Sequence, residues 1–120
     1  MLDDQPFKPH PNLSEEINNN ISRSEAEGGA YLNDLAVGKK LSVITKHHVY
    51  TIEKRIGEFW IHGHEKYCPH PVPCYINGST WGGSMLKMKF IGVGMHMEFR
   101  PWTSDLWVTT SEILDVKELD

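Results

Sequence analysis

The run Met85-Leu86-Lys87-Met88-Lys89-Phe90-Ile91-Gly92-Val93-Gly94-Met95-His96-Met97-Glu98-Phe99-Arg100 decides the fold. Leu86, Met88 and Phe90 fall on one face of an extended chain, with Lys87 and Lys89 on the other. After the glycines the rhythm resumes, and Met95, Met97 and Phe99 oppose His96, Glu98 and Arg100. A period of two is the pattern of a strand with one buried face. Two such runs around a glycine-rich turn predict a β-hairpin of Met85–Ile91 with Met95–Arg100. Lys87 and Lys89 would then meet Glu98 across the hairpin. Such pairs contribute about 0.2–1 kcal/mol each, so they set register while the apolar face supplies the stability.

Working outward, the same short-run pattern begins at Leu41. Strands are predicted at Leu41–Thr45, at Val49–Lys54 and, after an Ile56-Gly57 turn, at Phe59–Gly63. Val72–Ile76 follows a proline-rich stretch, and Pro73 predicts an edge position for it because proline donates no ladder hydrogen bond. Asn77-Gly78 reads as a turn. Trp107–Thr110 reads as a further strand, and Ile113 to Leu119 as either a terminal strand or a helical turn. Five to seven short antiparallel strands at this spacing predict an all-β, small SH3-like barrel, which removes exposed edges by closing.

A chain of 120 residues supports one domain. The barrel is expected over residues 36–120, behind a polar tail at residues 1–35. The tail is rich in Asn, Ser, Glu and Pro and offers too little apolar surface to offset ordering. Within it, Ile17 and Ile21 behind Ser14 are compatible with one short helix. Tyr31, Leu32 and Leu35 are the first residues expected to dock on the core. No apolar run reaches the roughly 18 residues of a membrane span, and the first residues lack the pattern of a signal peptide. The expectation is a cytoplasmic protein whose two cysteines are thiols.

The net charge of −4 is unevenly spread. Residues 1–36 hold seven acids against two bases, residues 37–104 nine bases against four acids, and residues 105–120 five acids against one base. A basic middle can signal an anionic partner. It can equally be a solvated surface screened by its own acidic ends.

The segment from His62 to Cys74 gathers His62, His64, Cys68, His70 and Cys74, residue types that bind zinc. His62 and His64, two apart on a strand, would face the same side. Five residues separate the cysteines, wider than in zinc knuckles, and no second pair stands at finger spacing, so an incidentally His-rich loop is the competing reading. The next segment, Asn77-Gly78-Ser79-Thr80-Trp81-Gly82-Gly83-Ser84, is a glycine-rich connection that can offer backbone N–H groups to a ligand or partner. It lacks the lysine and following helix of a phosphate-binding loop, and Trp81 would cover a barrel end. The run Gly78 to Lys87, with Gly92 to Phe99 after it, resembles small bacterial β-barrel proteins over about residues 35–116. That resemblance implies a barrel and carries no activity, cofactor or catalytic residue.

No sequence context ties a histidine base to a serine or cysteine nucleophile, so no catalytic residue is assigned. The expected function is a non-enzymatic module that self-associates or binds a protein partner. One alternative is a zinc protein using the His/Cys segment. Another is a binder of single-stranded nucleic acid through the basic middle, residues 37–104, with Trp60, Tyr67, Tyr75, Trp81 and Trp102 as stacking rings. A membrane partner is not expected.

Overall fold

The computed structural model describes residues 28–82 and 84–119. The short helix considered around Ile17 and Ile21 lies outside the described residues. Among the described residues nine strands follow in order: β1 (Gly29–Tyr31), β2 (Lys40–Thr45), β3 (Val49–Arg55), β4 (Glu58–His62), β5 (Val72–Trp81), β6 (Ser84–Met88), β7 (Phe90–Gly92), β8 (His96–Pro101) and β9 (Val108–Leu119). One 3-10 turn, Leu32–Asp34, follows β1. Among the described residues no helix is long and apolar enough to cross a membrane.

The chain is all-β, as its two-residue rhythm predicts. β2, β3, β4, β5, β8 and β9 close into an antiparallel barrel, with β4 pairing β5 and β9 returning to β2. Each barrel strand lies beside its neighbour in the series, so closure needs no crossover. The alternation sends Leu41 and Val43, Tyr50 and Ile52, Ile61, Ile76, Met97 and Phe99 inward, all at most 1% exposed. The Tyr50 and Phe99 rings meet edge-on at 5.6 Å, an arrangement worth about 0.5–1.5 kcal/mol beyond the area it buries.

Four features depart from the sequence reading. The hairpin of residues 85–100 does not form. Lys89 adopts φ +58° and cuts the alternating run in two: β6 pairs β5, whereas β7 pairs β1. Phe90 is buried as expected, but Met88 is 68% exposed and Leu86 43%. The lysines do not meet Glu98 as predicted. Lys89 Nζ donates to the Ile76 carbonyl at 2.6 Å, Lys87 Nζ lies over the Phe90 ring at 4.4 Å, and Glu98 accepts from Asn77 Nδ2 at 2.7 Å.

Val72–Ile76 is not an edge. It begins the ten-residue β5, which pairs β4, β8 and β6. Proline is tolerated because Pro73 stands beyond the last β5–β8 pair, Cys74 with Pro101. Its carbonyl there accepts from Trp102 N, and its ring nitrogen faces the same side, where no ladder donor is required. Asn77-Gly78 is not a turn but a bulge inside β5, where the register to β8 shifts between Ile76 and Gly78. Finally, Val108–Thr110 and Ile113–Leu119 belong to one strand, β9, and Trp107 stands just before it.

The folded unit also starts earlier than residue 36. β1 pairs β7, and the turn after it carries Leu32 and Leu35 into the core at 0% and 6% exposure. With Phe90, Ile91 and Met95 they join the same core cluster as the barrel's inward side chains.

Candidate functional site

The segment around His64 follows β4 and turns sharply. Gly63 ends β4 at φ +128°, and a Cβ there would meet the Val49 carbonyl oxygen at 2.1 Å. Only glycine allows the chain to pass so close and turn. The turn is closed by Cys68 N donating to the His64 carbonyl at 2.9 Å and Gly63 N to the Cys68 carbonyl at 3.0 Å. His64 is thereby carried out of line with His62, contrary to the expectation that both face one side. His62 lines a small pocket with Lys40, Thr51, Glu53, Trp60 and Pro71. His64 lines a separate cleft of about 270 Å³ with His47, His48, Tyr50, Tyr67 and Trp107.

In that cleft the His48 and His64 rings stack with centroids 4.0 Å apart and planes 20° apart. His48 Nε2 lies 3.0 Å from Glu65 Oε2. His64 Nδ1 accepts from Lys66 N at 3.1 Å and Tyr67 N at 3.4 Å. Accepting at Nδ1 places the His64 proton on Nε2. Burial, and then the neighbouring His48, hold His64 below the ordinary histidine range. A backbone hydrogen bond and His48 hold the Glu65 carboxyl below its ordinary range. Burial raises the Tyr50 phenol.

His48, His64 and Glu65 have donor atoms within 4.8 Å of one another, the one such group among the described residues. The spacing suits a metal, but the orientation does not. The His64 Nδ1 lone pair already receives two N–H groups, whose positive ends a cation would meet. Stacked rings also send their in-plane lone pairs side by side, whereas a metal needs them to converge.

Of the five residues proposed for zinc, only His64 enters this group. His70 is exposed. Cys68 and Cys74 are free thiols in the core cluster. Burial pushes the Cys68 thiol up and Cys74 up to about 12, and Cys74 Sγ points at the Phe59 carbonyl, 3.6 Å away. The glycine-rich segment is likewise not an open loop. Asn77, Gly78, Ser79, Thr80 and Trp81 are part of β5, Ser84 begins β6, and only Gly82 and Gly83 lie between. Gly78, Ser79 and Thr80 are buried, and Trp81 packs against the core. Ser79 Oγ donates to the Phe90 carbonyl at 2.6 Å and accepts from Gly92 N at 3.3 Å, so the hydroxyl is structural.

Sequence reasoning named Tyr75 and Trp102 as stacking rings but did not find the row they form with Arg100 and Trp107 on β5, β8 and the segment after it. There Tyr75 stands opposite Arg100. The Arg100 guanidinium lies 4.8 Å from the Tyr75 ring centroid and 5.5 Å from that of Trp107, steadied by Nη1 donating to the Ser104 carbonyl at 2.6 Å. Trp102 joins the row, its ring 5.9 Å from Tyr75. Tyr75, Trp102 and Trp107 are 49%, 45% and 44% exposed, and Leu106 beside them 72%. The row is assembled across strands 25 residues apart in sequence, so no local pattern announces it. His48 and Glu65 are joined the same way.

These features define a small closed barrel with one imidazole-lined cleft, one exposed aromatic row and one apolar arm, β6. Comparison of the chain with protein-family models, with curated proteins and with solved structures finds no match.

Proposed function

We propose that the protein is a non-enzymatic module that self-associates through β6. One observation carries this reading. Among the described residues β6 has a single strand neighbour, β5, and it exposes Met85, Leu86 and Met88 at 43%, 43% and 68%. An apolar strand at the edge of a sheet is a template for another strand. Antiparallel pairing of β6 with β6 of a second copy is self-complementary and closes as a two-fold dimer. The free thiols accord with a reducing compartment such as the cytoplasm.

Nothing in the geometry favours the other two expectations over this one. The proposed zinc thiols are buried in the core cluster. The exposed aromatic row carries one guanidinium, that of Arg100, well short of a basic groove.

Light scattering tests the reading. The full chain should scatter at twice its 13.7 kDa at micromolar concentration, and Leu86→Lys with Met88→Lys should return it to the monomer with an unchanged melting temperature. A wild-type chain that stays monomeric as concentration rises defeats the proposal.

A further inference from the structure

The cleft around His64 holds polar groups that the fold leaves without partners. We propose that this cleft binds a small planar aromatic amide, a neutral ring carrying one carbonyl oxygen and one N–H group. This inference is independent of the β6 reading.

Unmet hydrogen-bonding groups are the first argument. Tyr50 lines the cleft yet is 1% exposed, and its hydroxyl has no partner among the described residues. A buried hydroxyl left unpaired is costly to the fold, so this one calls for an acceptor from outside the chain. The Tyr50 phenol is raised first by burial and then by Cys68, Glu65 and Tyr67, which places its hydroxyl beside the turn that carries His64. His64, its side chain 15% exposed, supplies a second donor. Its Nδ1 accepts from Lys66 N and Tyr67 N, so the proton sits on Nε2. That N–H is also without an acceptor among the described residues. His48 supplies the complement. Donation from Nε2 to Glu65 Oε2 at 3.0 Å leaves Nδ1 of the neutral ring as an acceptor. Two donors and one acceptor along one cleft match the carbonyl and the N–H of an amide.

Shape is the second argument. The His48 and His64 rings stack at 4.0 Å, the Tyr67 ring lies 4.6 Å from His64, and Trp107 completes the walls. Ring-built walls favour a flat partner that can stack or meet them edge-on. The cleft of about 270 Å³ is a little smaller than the roughly 300 Å³ at which drug-sized pockets begin, so it suits one substituted ring.

Charge is the third, and it selects a neutral ligand. The Glu65 side chain, 79% exposed, faces Lys66 Nζ, 5.3 Å from the Tyr67 ring, and the Arg100 guanidinium, 5.5 Å from the Trp107 ring. An anion in the cleft would meet the Glu65 carboxylate. A cation would meet the unpaired hydrogens of Tyr50 and His64.

The test titrates the 15N-labelled full chain with benzamide near neutral pH. The His64 ring and Trp107 indole signals should shift saturably, with a Kd of about 1 mM or tighter. The Trp60 indole, which donates to Glu58 Oε1 at 2.7 Å, should stay in place. Benzoate, which lacks the donor, and benzamidinium, which lacks the acceptor, have the same outline and should each bind at least about tenfold more weakly. Cyclohexanecarboxamide, which keeps the amide and loses the flat ring, should also bind more weakly. Tyr50→Phe should weaken benzamide at least about fivefold while the free variant melts no lower than the native chain, because the hydroxyl it removes has no partner in the fold. No saturable shift at millimolar benzamide overturns the proposal. So does benzamidinium or benzoate binding as tightly as benzamide, or a Tyr50→Phe chain that keeps the native affinity.

Discussion

A methyl group on Gly78 would meet the Lys87 carbonyl oxygen at 2.1 Å, in a backbone at φ +140° that other residues rarely adopt. The bulge that lets β5 serve both the barrel and β6 rests on this contact. Gly78→Ala should therefore cost more than about 2 kcal/mol, read as a lower urea midpoint with an unchanged slope. At His64 the effect is one of protons. Its folded-state value lies below the ordinary 6.5, so as pH falls below 6.5 the unfolded chain takes up a proton that the folded chain refuses. Stability is thus full above 6.5 and is lost as pH falls through the depressed value. The Glu65 carboxyl, held below 4.5, adds a loss in the same direction at lower pH. The melting temperature should drop between pH 7 and pH 5. His64→Asn keeps an acceptor for Lys66 N and Tyr67 N without a titrating ring, and should flatten that drop; an equally steep drop in the variant contradicts the assignment. None of this was legible locally. Asn77-Gly78 has the composition of a turn, and only the neighbouring strand converts it to a bulge. His48 and Glu65 stand 17 residues apart in sequence.

At the level of elements, the sequence was most informative where a strand has one wet face. β8 alternates without a break, with Met97 and Phe99 inside and His96, Glu98 and Arg100 half-buried outside. The run before it alternates just as cleanly and misleads, because Lys89 takes a left-handed conformation in mid-run. Such a conformation costs of order 1–3 kcal/mol in a non-glycine residue. Two bonds offset it, Lys89 N donating to the Asn77 carbonyl and Nζ donating to the Ile76 carbonyl. The period-two pattern counts side chains and cannot register the sign of one dihedral. The consequence is β7, freed to pair β1 and bring Leu32 into the core. Leu32→Ala should cost about 2–5 kcal/mol, as for a fully buried leucine, measured by chemical denaturation. A cost under 1 kcal/mol would show that the β1 segment contributes little to the fold.

Across the whole molecule, the class of fold was readable from turn spacing, while strand partners were not. Pro73 argued for an edge on local grounds, yet closure placed it within the central β5, beyond the reach of the β8 ladder. Closure also decides the fate of the thiols. With Cys68 and Cys74 inside, an aromatic disulfide reagent should label neither in the native protein and both in urea. At pH 8, a thiol pushed up to about 12 is ionised at about one part in ten thousand, so native labelling should follow the rate of unfolding. Rapid labelling of the folded chain would place at least one sulfur outside the core.

The seam between β2 and β9 has a temporal meaning. Lys40 pairs Leu119 there, and Val43 pairs Val116, so the earliest barrel strand to leave the ribosome must wait for the last one. During synthesis the nascent sheet is an open ribbon whose oily side stays uncovered until Val108–Leu119 emerge. A chaperone holding that ribbon would engage the first hairpin, and its release would coincide with translation of the closing strand.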